Sequence, residues 1–210
     1  MRGLVCFDVD GTLVPGTTSC AWVAAVLGHE AELRAAEAAY DAGRMSNQEA
    51  SVIDARGWAG HTEAEVLARL ETLPLVAGIG ETVAWCHDHD LRPILTTLAW
   101  TPVGRIPARR FGFDAYCGPV PEAVGGRYTG EVAEHLDEYG KRDFALAQGF
   151  APELCAAVGD SRSDLPLFAA AGLSIAFNAA PAARAVATHA VDSGDLRAVV
   201  PLLERQFSSV

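Results

Sequence analysis

Leu4-Val5-Cys6-Phe7-Asp8-Val9-Asp10-Gly11-Thr12-Leu13 is the stretch on which the reading of this chain turns. Four apolar residues in a row are too few for a helix and suit a strand buried on both faces, as in a parallel sheet. The run ends in two aspartates one residue apart. Alternate residues of a strand point the same way, so Asp8 and Asp10 share one site if the strand stays regular through both. Gly11 lets the backbone turn sharply just after them. Two carboxylates at the end of a core strand cost stability unless something cationic meets them. That end is also where open α/β sheets bind their ligands.

Working outward, the chain has 210 residues, enough for one α/β domain with an insertion or for two small domains. Half of it is hydrophobic, a fifth is charged, and the formal net charge is -11. Nucleic acid and anionic membrane both require a clustered basic surface, so neither is expected as a partner. A small anionic substrate stays open, because a metal ion and one or two local cations override the global field. The five cysteines (Cys6, Cys20, Cys86, Cys117 and Cys155) are widely spaced and odd in number, and none forms C-x-x-C. That is a reducing-compartment pattern without a disulfide framework or zinc site. No leader pattern precedes the acidic strand and no apolar run is long enough to span a bilayer, so a cytoplasmic location is expected.

After the first strand, about sixty residues carry helical spacing. Helices are expected over 19–40, 47–55 and 62–73, the last opened by a Thr62/Glu65 capping box. An alternation follows: helix 81–89, strand 91–97, helix 101–111, strand 115–117, a hairpin over 120–132 around Gly125-Gly126, helix 140–148 and strand 154–158. A helix to 171, strand 173–177, a short helix after Pro181 and a helix over 195–204 complete it. Alternating strands and helices predict a parallel sheet. The expected fold is therefore α/β: a three-layer Rossmann-like core over 1–14 and 78–210, with a small all-helical cap over 15–77.

Several polar groups fall at or near the C-terminal ends of the predicted strands. Besides Asp8 and Asp10, Thr96-Thr97 ends the second strand, and Gly159-Asp160-Ser161-Arg162-Ser163-Asp164 follows a later one. Lys141 opens the helix before that strand. Each alone has an ordinary explanation, as a β-former, a turn or a solvated charge. Their order and shared edge make coincidence a poor account. His87-Asp88-His89-Asp90 reads as a helix end, where histidine suits the dipole, rather than as a metal cluster. Trp22, Trp58, Trp85 and Trp100 read as packing, with Trp58 and Trp100 candidates for the substrate entrance.

D-x-D-G-T at 8–12, a Thr at a second strand end, a Lys, and G-D-S-x-S-D at 159–164 resemble the haloacid dehalogenase superfamily of phosphatases. The layout is most similar to its phosphoserine-phosphatase-like group. The resemblance implies a phosphomonoesterase acting on a small phosphorylated metabolite through an aspartyl phosphate. Asp8 would be the nucleophile and Asp10 the proton donor and acceptor. Mg²⁺ would be held by Asp8, the Asp10 carbonyl and Asp160, with Asp164 either a ligand or an orienter of Lys141. Thr97 or Thr96, with the family register favouring Thr97, would bind the phosphoryl oxygens together with Lys141 and Gly11.

Alternatives on the same site are a phosphotransferase and a non-catalytic phosphate-binding regulator. Dehalogenases of the family lack the second aspartate, so Asp10 speaks against C–X cleavage, and the absence of lysine from 15–77 speaks against phosphonate hydrolysis. Phosphoserine-directed members carry an acid where Thr17 stands and an Arg where Asp54 stands. Arg56 lies two residues beyond. Phosphoserine is accordingly expected to be a poor substrate.

Overall fold

The computed structural model of the protein describes residues 1–208. Gly3–Phe7 forms β1, with all five residues buried. Five further strands complete its sheet: β2 Leu91–Thr96, β3 Ala115–Cys117, β6 Cys155–Gly159, β7 Leu173–Phe177 and β8 His189–Val191. The order is β3-β2-β1-β6-β7-β8, and every pairing is parallel. In register, Phe7 faces Leu95 on one side and Val158 on the other. Asp8, Thr96-Thr97 and Gly159-Asp160 are therefore delivered to one edge.

Side chains of β1 alternate between two layers. Val5 and Phe7 pack with Ile79 and Val83 of α5 (Ile79–Asp88), Val103 of α6 (Thr101–Phe111) and Leu203 and Phe207 of α10 (Val200–Ser208). Leu4 and Cys6 pack with Ala145 of α7 (Glu138–Leu146), Leu167 of α8 (Leu165–Phe168) and Ala183 of α9 (Pro181–Val186). Fully burying each large apolar side chain stabilises the fold by about 1.5–3 kcal/mol. Both faces of the strand are used, which is why its sequence is apolar throughout rather than alternating.

Between β1 and β2, four helices precede α5: α1 Ser19–Leu27, α2 Glu30–Asp41, α3 Asn47–Trp58 and α4 Glu63–Leu70. The single helix expected over 19–40 breaks in two. Gly28 adopts a left-handed conformation, φ 91°, and its N–H caps α1 at the Ala24 carbonyl. The break turns His29 toward α3, where its imidazole meets Asp54. Gly57 on α3 lacks the Cβ that would sit 2.1 Å from that imidazole. The helix α3 runs on to Trp58, past the expected end at 55, because Trp58 is anchored by packing. Its ring lies 5.6 Å from Trp100 and 4.9 Å from Tyr128. Tyr128 belongs to β5 (Arg127–Glu134), which pairs antiparallel with β4 (Val120–Val124) around Gly125-Gly126. The Thr62/Glu65 capping box is present as expected.

The strand β8 was not expected; it is a three-residue edge strand with two exposed residues, too short to carry a period. Where the chain leaves α4 and returns to the sheet, the Val76 N–H donates to the Leu13 carbonyl at 2.9 Å. The Leu196 N–H then donates to the Ala77 carbonyl at 2.8 Å. Among the described residues, no helix is long and apolar enough to cross a membrane.

Candidate active site

The strand β1 ends at Phe7, one residue before Asp8, so the regular strand through both aspartates is not what brings them together. A tight turn does so instead. Its bonds are Leu13 N–H to the Val9 carbonyl at 2.8 Å and Gly11 N–H to the Val14 carbonyl at 3.0 Å. Asp8 and Asp10 both reach a cavity of about 630 Å³ at the sheet edge, with Gly11, Thr97 and Asp160 on the same wall. Gly11, at φ 81°, has no room for a side chain, since a Cβ there would lie 2.1 Å from Asp160 Oδ2.

Lys141 is fully buried. Its Nζ donates to Asp8 Oδ1 at 2.7 Å and to Asp164 Oδ1 at 2.5 Å. Asp164 Oδ2 accepts the backbone N–H groups of Asp160 and Ser161 at 2.9 and 3.0 Å. The carboxylate of Asp164 is thus occupied by protein donors on both oxygens, and Lys141 stands behind Asp8 instead of on the cavity wall. Burial pulls the ammonium down, but Asp164 and Asp8 outweigh it and hold its pKa above the usual lysine value. Burial pushes Asp8 up to about 6, with Lys141 opposing and Asp164 reinforcing.

Asp160 is pushed up to about 9 by burial and by the charges of Asp8 and Asp164. Its buried Oδ1 finds no hydrogen-bond partner. Asp8, Asp160 and Asp164 offer oxygens that all lie within 4.8 Å of one another. Crowded carboxylates with an unsatisfied buried oxygen fit a hard divalent cation, which takes oxygen ligands.

Asp10 is held by a single residue. The Ser19 N–H donates to its Oδ1 at 2.7 Å and the Ser19 hydroxyl to its Oδ2 at 2.9 Å. Burial nevertheless raises its pKa to about 7, outweighing those bonds. Ser19 is the first residue of α1, and Thr18, the N-cap, accepts the Ala21 N–H. Sequence reasoning did not single out Ser19. The available signal was the Thr18-Ser19 helix start nine residues beyond Asp10, since helix N-termini attract carboxylates.

Of the two threonines, Thr97 lies on the cavity wall, its Oγ1 accepting the Ala99 N–H at 3.0 Å. Thr96 is the last residue of β2, and its buried hydroxyl has no partner. Thr17 also lines the cavity. Asp54 lines it too, but is already engaged by ring donors: Trp100 Nε1 at 2.6 Å, His29 Nε2 at 2.7 Å and Trp58 Nε1 at 3.2 Å. Arg56 is exposed and off the wall. In the 87–90 run, His89 stacks on Trp85 at 4.1 Å and His87 faces Asp114.

Residues 5–169 match the model of the haloacid dehalogenase-like hydrolases. The chain belongs to this family. Among curated relatives of this hydrolase, a phosphoserine phosphatase of Albidiferax ferrireducens is 29% identical over 213 residues, covering 96% of this chain and 89% of the relative. A phosphoserine phosphatase of Halobacterium salinarum is 31% identical over 198 residues, covering 91% and 93%. A solved substrate-bound phosphoserine phosphatase complex superposes with a TM-score of 0.86 at 22% identity, covering 96% of this chain and 98% of that one. That likeness extends over the parallel sheet and the helices between β1 and β2, so the expected fold holds.

Proposed function

We propose that this hydrolase is a Mg²⁺-dependent phosphatase that cleaves the monoester of a small phosphorylated metabolite through a phosphoryl group carried on Asp8. One observation carries the reading: two carboxylates on one cavity wall are held by different donors. Asp8 is held by an ammonium and Asp10 by a helix-start amide and hydroxyl. Such a division gives two acids two roles.

Lys141 keeps one oxygen of Asp8 fixed, so the carboxylate meets the phosphorus in one orientation. The bond from Asp8 to phosphorus forms as the ester P–O bond breaks, and the leaving oxygen takes the proton held on Asp10. With a pKa near 7, Asp10 keeps that proton in a large share of molecules at neutral pH. In the second half, Asp10 takes a proton from the water that attacks phosphorus, and the bond to Asp8 breaks. The Thr97 hydroxyl and the turn at Gly11 would bind the transferring oxygens. Asp8, Asp160 and the Asp10 carbonyl would hold Mg²⁺, with Asp164 orienting Lys141. When bound, the ion offsets the repulsion between a carboxylate and a phosphate dianion.

Residues 15–77 serve as the cap over a core made of 1–14 and 78–210. The five free cysteines suit a reducing, cytoplasmic setting. The relatives named phosphoserine phosphatase make phosphoserine the reference substrate. The test is phosphate release from an aryl phosphate and a panel of phosphorylated metabolites with Mg²⁺, in wild type and Asp8→Asn. Turnover abolished in the variant is expected; full turnover there would remove the mechanism.

A further inference from the structure

Resting on the phosphatase reading above, we propose that Glu37 selects the leaving group: the preferred substrate is the phosphate monoester of an amino alcohol whose ammonium lies against Glu37 and which carries no carboxylate.

The placement follows from two adjacent residues. Ser19 holds Asp10, and its neighbour Thr18 donates its hydroxyl to Glu37 Oε1 at 2.6 Å. The proton donor and Glu37 are thus fastened to consecutive positions at the start of α1. Asp10 must touch the ester oxygen to protonate it, so a substituent a few bonds from that oxygen faces Glu37. Both residues line the cavity.

On the cap side of the cavity, carboxylates outnumber the single cation, Arg34. Glu37, Asp41 and Asp54 all line the cavity. Burial raises the Glu37 pKa, the Thr18 hydrogen bond and Arg34 oppose the rise, and Asp54 and Asp41 add to it. Asp54 is spent on its three ring donors, which leaves Glu37 as the half-buried anion with an oxygen to offer.

The nearby cations are already engaged. Arg34 sits on the wall with 64% of its side chain exposed and both Nε and Nη2 donating to Glu30. Arg162 donates to the Tyr40 carbonyl, lies over the Tyr40 ring and pairs with Glu138. Lys141 is sealed between Asp8 and Asp164. A carboxylate on the leaving group meets like charge and no free guanidinium fork, whereas an ammonium gains an anionic partner.

The experiment compares kcat/KM for ethanolamine phosphate, glycerol phosphate, phosphoglycolate and phosphoserine with Mg²⁺, alongside an aryl phosphate. Ethanolamine phosphate should lead phosphoserine and phosphoglycolate by roughly tenfold or more. Glu37→Gln, which keeps an acceptor for Thr18, should cut the ratio of ethanolamine phosphate to glycerol phosphate by roughly tenfold. Glu37→Lys should reverse the order in favour of phosphoglycolate, a gain that misfolding does not produce. Phosphoserine or phosphoglycolate leading in wild type overturns the proposal, as does an unchanged ratio in Glu37→Gln. If the aryl phosphate is cleaved while the amine ester lags, the proposal alone falls. If wild type cleaves nothing, the phosphatase reading falls and takes this one with it.

Discussion

The indole N–H of Trp100 donates to Asp54 Oδ2 at 2.6 Å across 46 residues of sequence. Trp100 stands just past the loop that carries Thr97, and Asp54 stands on α3. The same carboxylate takes Trp58 and His29 on its other oxygen. A buried carboxylate thus ties the helices between β1 and β2 to the loop beside the cavity and meets three ring N–H groups at once.

Asp54→Ala leaves those three buried donors unpaired. Its expected cost is about 2–5 kcal/mol, below the sum of three separate losses because the donors share one acceptor. Trp100→Phe keeps the ring packing and removes one donor, at about 1–2 kcal/mol. Urea denaturation of both variants checks the difference; equal losses would mean that Asp54 is not a shared anchor.

Ser19 is a positioning residue for Asp10. Ser19→Ala removes the hydroxyl bond and leaves the amide bond, so Asp10 loses half of its support. Turnover of alkyl phosphates should fall roughly tenfold, and that of aryl phosphates much less, because aryl leaving groups need little protonation. Steady-state kinetics on one ester of each kind decide it, and an equal fall on both would assign Ser19 a purely structural role.

A cation held by Asp8 and Asp160 should stabilise the fold. At a Mg²⁺ concentration one hundred times its dissociation constant, linkage gives about 2.7 kcal/mol. Thermal melts with and without Mg²⁺ should show a higher Tm with the ion, reversed by chelation and largely lost in Asp160→Asn. An Asp160→Asn protein that gains as much Tm as wild type would place the ion elsewhere.

Glu37 has a raised pKa, so between its ordinary and raised values the folded state binds more protons than the unfolded state. Stability from this group therefore falls as pH rises through that window, and the deficit persists above it. Glu37→Gln carries no such deficit. Its Tm should exceed that of wild type at neutral and alkaline pH, with the gain vanishing below the ordinary carboxylate range. A gain of the same size at all pH values would show that the effect is not electrostatic.

Much of this architecture was legible from local patterns. The apolar run at 4–7 marked a doubly buried strand, and the strand spacing brought Asp8, Thr97 and Asp160 to one edge. What escaped the sequence depends on partners far along the chain. The break at Gly28 makes sense only once His29 meets Asp54, 25 residues away. The engagement of Asp54 needs Trp100 from another element. Asp164 was expected either as a metal ligand or as the orienter of Lys141; the Lys141 ammonium meets both Asp164 and Asp8, and no spacing between positions 8, 141 and 164 decides between those alternatives. Thr96 and Thr97 are chemically alike, and only the point at which β2 ends separates a hydroxyl inside the sheet from one on the cavity wall.

The hydrogen bond from Val76 to Leu13 means that the chain departs for the helices α1 to α4 and comes back at neighbouring points. None of the six sheet strands lies within that excursion. Such a junction tolerates exchange of the segment between its ends where the replacement keeps Ser19 on Asp10 and Asp54 on Trp100, because no strand register depends on the length of the excursion. Grafting the corresponding segment of a relative between Leu13 and Val76 would replace Glu37 and its neighbours while leaving Asp8, Lys141 and Asp160 in place. Any such graft is also joined to the core at the start of α1, where Ser19 reaches back to Asp10.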